Sequence, residues 1–180
     1  MQSATVTKPI PVELALVSEG AMRALVKAFG LLKHVMEPYF ANYGLTGAQW
    51  GILRVLGRAE QEGLLALRLS DLGKRLLVRP PSVTGLVGRM QRAGWVELTA
   101  SAQDQRVKNV SLTPAGRRML ERVMAGHGAQ IESMLKPLSH AQRRQLQGLL
   151  EQVAGRMEEL AGRAATRPAS GTDVTAQNND

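Results

Sequence analysis

The stretch from Leu69 to Leu112 constrains the fold most, because its punctuation dictates four short elements in a fixed order. Ser70 can cap a short helix whose buried face is Leu72, Leu76 and Leu77. Arg79-Pro80-Pro81-Ser82 then opens a second helix with prolines where no N–H is missed. Val83, Leu86, Val87 and Met90 line one face of that helix, and Gly94 stops it. Trp95 to Leu98 reads as a strand, Thr99 to Gln105 as a polar turn, and Arg106 to Leu112 as the returning strand. Helix, tight turn, helix and hairpin is the order of a winged helix-turn-helix.

The flanks are helical. From Val12 a stripe of Leu14, Ala21, Leu25, Ala28, Leu32, Val35 and Tyr39 keeps helical spacing, and Pro38 predicts a kink or a stop at Glu37. Thr46 with Gln49 forms a capping box for a helix that turns Trp50, Leu53 and Leu56 inward and ends between Gly57 and Gly63. Leu65 to Leu69 can pair as a small strand. Thr113-Pro114 starts another helix that runs to Lys136, where Pro137 stops it. A second capping box, Ser139 with Gln142, opens a last helix with a seam of Leu146, Leu150, Val153, Met157 and Leu160. The expected fold is therefore mainly α, a winged helix-turn-helix with terminal helices. Its parts are a disordered tail over 1–11, one domain over 12–163 and a second disordered tail over 164–180. Within the domain, 45–116 is the winged unit, and 12–42 and 114–163 are dimerisation helices.

Charge points to the partner. The formal net charge is +8, and the window Arg68–Arg118 holds ten basic residues against three acidic ones. A solubility bias would be spread along the chain, whereas a concentrated excess fits a polyanion such as double-stranded DNA. A helix in the major groove presents its N-terminal side chains to base edges, here Ser82, Thr84 and Gly85, with Arg89 and Arg92 following. Gly85 and Gly88 each cost about 1 kcal/mol in a helix relative to Ala. They either admit a phosphate chain closely or reflect crowding against a neighbouring helix. A turn ending in Arg106 can enter a narrow minor groove, and Asp104 can pair with that guanidinium and hold it extended. Arg79, Pro81 and Lys108 complete the candidate DNA contacts.

Other classes find little support in the chain. It contains no Cys, so disulfides, thiolate metal sites and cysteine redox sensing are excluded within it. No signal peptide or membrane span is evident, and a cytoplasmic protein without membrane contact is expected. No catalytic constellation, cofactor loop or metal-ligand spacing is found, so no enzyme and no cofactor are expected. His34, His127 and His140 read as surface or satisfied histidines.

Several segments together resemble the MarR family of bacterial repressors: Leu45-Thr46-Gly47-Ala48-Gln49-Trp50, Leu69-Ser70-Asp71-Leu72, and Val78 through Val87. Arg89-Met90, Gly94-Trp95-Val96, Asp104-Gln105-Arg106 and Leu112-Thr113-Pro114-Ala115-Gly116 match as well. The similarity spans about Val12 to Leu160. It implies a homodimer interlocked by the first and last two helices, whose paired wings bind a pseudo-palindromic operator. It assigns the major groove to Ser82, Thr84 and Gly85, phosphate to Arg89, and the minor groove to Arg106 oriented by Asp104. Two departures stand out: Gly73 replaces a frequent Ala, and Gly88 a frequent Asp. The resemblance further implies release of DNA by a small aromatic or phenolic acid, with His34, Tyr39, Tyr43, Trp50 and Arg54 as candidate lining. The expected function is a ligand-responsive transcriptional regulator, in the first instance a repressor. A ligand-independent architectural DNA-binding protein is the alternative.

Overall fold

The computed structural model describes residues 11–76, 80–100 and 104–166 of the chain. Both tail segments expected to be disordered lie largely outside these residues, as do Leu77, Val78, Arg79 and the turn tip at 101–103. The elements in order are α1 (Val12–Ala41), α2 (Gly47–Gln61), β1 (Leu67–Arg68), α3 (Leu69–Leu76), α4 (Pro80–Arg92), β2 (Val96–Ala100), β3 (Lys108–Leu112), α5 (Pro114–Leu135) and α6 (His140–Thr166). The chain divides into two compact units, residues 1–130 and 131–180.

In the first unit the helix starts follow local capping chemistry. The Thr46 hydroxyl accepts from the Gln49 amide at 3.3 Å and the Gln49 side chain accepts from the Thr46 amide at 2.8 Å, which closes the expected capping box. Gly94, at φ +74°, ends α4 in a Schellman motif. Its own N–H bonds the Gln91 carbonyl and the Trp95 N–H bonds the Met90 carbonyl. An L-residue with a Cβ would be strained at that angle, so the reversal into β2 depends on glycine.

The sheet is antiparallel, with β3 between β1 and β2. Its register pairs Leu67 with Val110 and Val96 with Leu112, and this places all four on the buried face. Against them lie Ile52, Leu53 and Leu56 of α2, Leu72 of α3, and Val83, Val87 and Met90 of α4, all at or below 2% exposure. This aliphatic core fixes α4 by the face opposite to the one left free. At its rim, charges join the elements. Arg117 of α5 grips Glu60 of α2 through both Nε and Nη2, at 2.7–3.1 Å, and Arg75 of α3 meets Glu62 at 3.0 Å.

The structure departs from expectation at three element boundaries. Of the kink or stop that Pro38 predicts, the stop is excluded, because helix α1 runs through Pro38 to Ala41. Pro38 lies in the last turn, between Met36 and Phe40, whose burial holds that turn against the core. Ser70 is the second residue of α3 and so lies inside the helix. In the hairpin, β2 reaches Ala100 and β3 begins only at Lys108. Thr99 is therefore strand, and Arg106 belongs to the turn.

The second unit holds the end of α5 and all of α6. Ser139 and Gln142 form the expected capping box. Arg143 reaches back to donate to the carbonyls of Leu135 and Leu138, each at 3.0 Å, and pairs with Glu132. One guanidinium thus satisfies orphan acceptors at the C-terminus of α5. The seam residues Leu146, Leu150, Val153, Met157 and Leu160 are all exposed in the single chain.

Gly116 gives a test of this packing. A Cβ there would fall on the backbone carbonyl of Trp95, well inside van der Waals contact, and press on Leu112. Gly116→Ala should therefore destabilise the fold by about 1–3 kcal/mol in urea denaturation, because backbone cannot move aside as a side chain can.

Candidate nucleic-acid interface

The face of α4 turned away from the core carries Ser82, Thr84, Gly85, Arg89 and Arg92, all exposed. Pro81 lies in the first turn of α4, and its side chain, like the whole of Arg79, is outside the described residues. At Gly88 a Cβ would meet nothing within 4 Å among the described residues, so crowding against another of their helices does not account for this glycine. At Gly85 the nearest atom is Nη1 of Arg89, 3.9 Å from where a Cβ would stand, so the guanidinium leans back along the helix over the gap. Arg92 likewise curls back, with its Nε donating to the Gly88 carbonyl at 3.4 Å.

The wing is built differently from expectation. The carboxylate of Asp104 does not pair with the Arg106 guanidinium. It accepts instead from the Arg106 backbone N–H, at 2.9 Å, while the Asp104 carbonyl accepts from the Val107 N–H. This is an Asx turn, in which the side chain imitates a backbone turn. Asp104 therefore orients Arg106 through the main chain and leaves the guanidinium without an acid among the described residues. Lys108, the first residue of β3, is exposed beside it.

Ion pairing sorts the basic residues of the window. Lys74, Arg75 and Arg117 are held by Asp71, Glu62 and Glu60. Among the described residues, Arg68, Arg89, Arg92, Arg106, Lys108 and Arg118 make no ion pair. Four of these six sit on α4 or on the wing, so the unneutralised charge concentrates on the face expected to meet a polyanion. Arg68 is absent from the contacts expected from sequence. Its signal was available, since Leu67 and Leu69 flank it and the strand period turns it to the opposite face.

The candidate effector residues fall into two groups. Tyr39, Tyr43, Trp50 and Arg54 come together, whereas His34 is exposed on α1 and makes none of these ring contacts. Trp50 is 5% exposed, and its ring lies 5.7 Å from Phe40 and 5.1 Å from His127. Arg54 stands over the Trp50 ring, 5.9 Å from its centroid. Tyr39 donates its hydroxyl to the Val123 carbonyl, pinning α1 to α5, and burial together with Tyr43 pushes its phenol up to about 12.

His127, expected to be a surface or satisfied histidine, is buried at the centre of this aromatic cluster. The clue was its place four residues after Val123 on the inward face of α5. Burial, and next the positive charge of Arg54, hold its pKa below the ordinary value.

The geometry defines a winged helix-turn-helix protein: a three-helix core, a small sheet, and a cationic face made of the second motif helix and the wing. Residues 43–107 match the family model described as "MarR family". The chain is 30% identical over 126 residues to the HTH-type transcriptional repressor YetL of Bacillus subtilis, covering 68% of this chain and 74% of that protein. It is 27% identical to the homoprotocatechuate degradative operon repressor of Escherichia coli, over 77% of this chain and 93% of the relative. Its fold superimposes on a mutant MarR from E. coli complexed with operator DNA, at a TM-score of 0.66 and 21% identity, over 80% of this chain and 99% of that one. The chain belongs to the MarR family of transcriptional regulators.

Among the described residues no group of three or more His, Cys, Asp or Glu side chains could hold a metal ion, and no helix is long and apolar enough to cross a membrane.

The buried histidine predicts a pH dependence. Its folded pKa is depressed, so as pH falls below about 6.5 the unfolded chain takes up the proton first. This contribution to stability is full above the unfolded value and declines as pH drops toward the folded one. Denaturation midpoints measured near neutrality and about one to two pH units lower should therefore differ more for the wild type than for His127→Phe.

Proposed function

We propose that this protein is a cytoplasmic transcriptional repressor that binds a pseudo-palindromic operator as a homodimer and is released by a small aromatic acid. The observation that carries the DNA-binding part is the outward face of α4, with Ser82, Thr84, Gly85 and Arg89. Alongside it stands a wing whose Arg106 and Lys108 meet no acid among the described residues. Ser82 and Thr84 enter the major groove near base edges, Arg79 and Arg89 take phosphates, and Gly85 and Gly88 let the backbone come close. Arg106 enters the minor groove, where the negative potential favours a guanidinium. Asp104 sets the direction of entry through its Asx turn.

Dimerisation through 12–42 and 114–163 is supported by the apolar surface on the terminal helices. Val12, Leu16, Val26 and Phe29 of α1 are each more than 60% exposed. On α6 the seam from Leu146 to Leu160 is exposed along its length. A second copy would cover these faces, and a twofold dimer would set its two reading helices about one DNA turn apart.

The effector reading rests on the Trp50–Arg54 pair. Arg54 is exposed, has no ion pair among the described residues, and lies over an aromatic face. The carboxylate of a small aromatic acid can accept from that guanidinium. Tyr39 and Tyr43 provide the adjoining wall, and His34 stands apart from this cluster, exposed on α1. The name of the curated E. coli relative, repressor of a homoprotocatechuate degradative operon, fits an aromatic-acid signal.

Arg106→Ala tests the DNA-binding reading by fluorescence anisotropy on a labelled duplex. The slope of log K against log salt should fall by roughly 1 for each wing, and affinity should drop. An unchanged slope would exclude the wing from the interface. Truncation after Leu138 tests the dimer: sedimentation should give a monomer, and a stable truncated dimer would refute assembly through α6.

A further inference from the structure

A shallow groove beside the wing is lined by Arg68, Leu69, Ser70, Arg106, Val107 and Lys108. It lies where β1 pairs with β3, with Arg68 opposite Asn109 and so one residue from Lys108, and where the turn shaped by Asp104 leads Arg106 into β3. Three cations therefore share one concavity, and all three are exposed without an ion pair among the described residues. Like charges gathered without counter-charge repel one another, and an anion in their midst relieves the repulsion. Ser70 adds an exposed hydroxyl that can donate to such an anion. The nearest acid on the same helix, Asp71, is occupied by Lys74 at 3.2 Å.

We propose that this groove holds a backbone phosphate of the duplex, with Arg68 as a DNA contact that fastens the strand flanking the wing. The inference rests on the DNA-binding reading above and adds to it a residue from the far edge of the sheet. Arg68 reads no base. It ties the phosphate next to the groove that Arg106 enters, so that wing and helix-turn-helix are held to one strand by adjoining contacts. A free acidic effector is the other anion that could sit there, and the experiment separates the two.

The test is anisotropy on mixed-sequence duplex at several salt concentrations, using full-length wild type, Arg68→Ala, Arg68→Lys and Arg118→Ala. Arg118 is an exposed arginine outside the groove, with no ion pair among the described residues, so its removal controls for net charge. Arg68→Ala should lower the salt slope by about 0.9 for each phosphate no longer neutralised, and weaken binding alike on different sequences. Arg68→Lys should restore most of the slope, because a phosphate accepts either cation. Arg118→Ala should keep the wild-type slope. A wild-type slope for Arg68→Ala, or an equal fall for Arg118→Ala, overturns the proposal while leaving DNA binding itself intact. If Arg68→Ala keeps its DNA affinity yet loses the stabilising effect of benzoate or salicylate on the melting temperature, the groove is an effector site and the proposal fails. If the wild type binds no duplex at low salt, the underlying DNA-binding reading has failed instead.

Discussion

The junction at Thr113 is the constraint on which the rest of this architecture depends. Its hydroxyl donates to the Gly94 carbonyl at 2.6 Å and accepts from the Gly116 N–H at 3.0 Å, while its own N–H donates to the Trp95 carbonyl at 3.1 Å. One side chain thus caps α5 and ties that cap to the turn that ends α4. The strands β2 and β3 leave from the same knot, with Val96 paired to Leu112. Because α4 ends there and the wing strands leave and return there, their relative direction is set by a few short hydrogen bonds and by the missing Cβ of Gly116. If α4 and the wing are to meet one duplex together, as proposed, that angle must be held.

Charge is arranged around the same frame. Cations that serve the fold are already neutralised, as Arg117 is by Glu60 and Arg143 by Glu132. Those on α4 and the wing have no acid among the described residues, even though Asp104 stands two residues from Arg106. Committing that carboxylate to a backbone amide keeps the turn in shape and the guanidinium available. Arg68 and Lys108, on neighbouring strands, are likewise exposed.

Much of this was legible in the sequence wherever the deciding interaction is local. Thr46 with Gln49, Ser139 with Gln142, and Thr113-Pro114 each state a helix start within four residues, and the structure places all three there. The aliphatic face of α4 followed from spacing alone. What escaped depends on contacts made far along the chain. Pro38 stays helical because Met36 and Phe40 are buried and Tyr39 is fastened to Val123, which no window around Pro38 reveals. His127 becomes buried only when α1 and α2 bring Tyr39, Phe40 and Trp50 around it. Arg68 becomes a neighbour of Arg106 only through the pairing of β1 with β3. The exposure of Ser82, Thr84, Gly85 and Arg89 on one face of α4 followed from spacing, while the backbone role of Asp104 did not.

The central claim is that α4 reads sequence and that two copies read it together. Selecting bound duplexes from a randomised pool with the full-length protein and sequencing them tests this most directly. The expected result is convergence on a motif with twofold symmetry whose half-sites lie about one helical turn apart. Tight binding with no enriched motif would contradict it and mark the protein as a binder of DNA shape and charge alone.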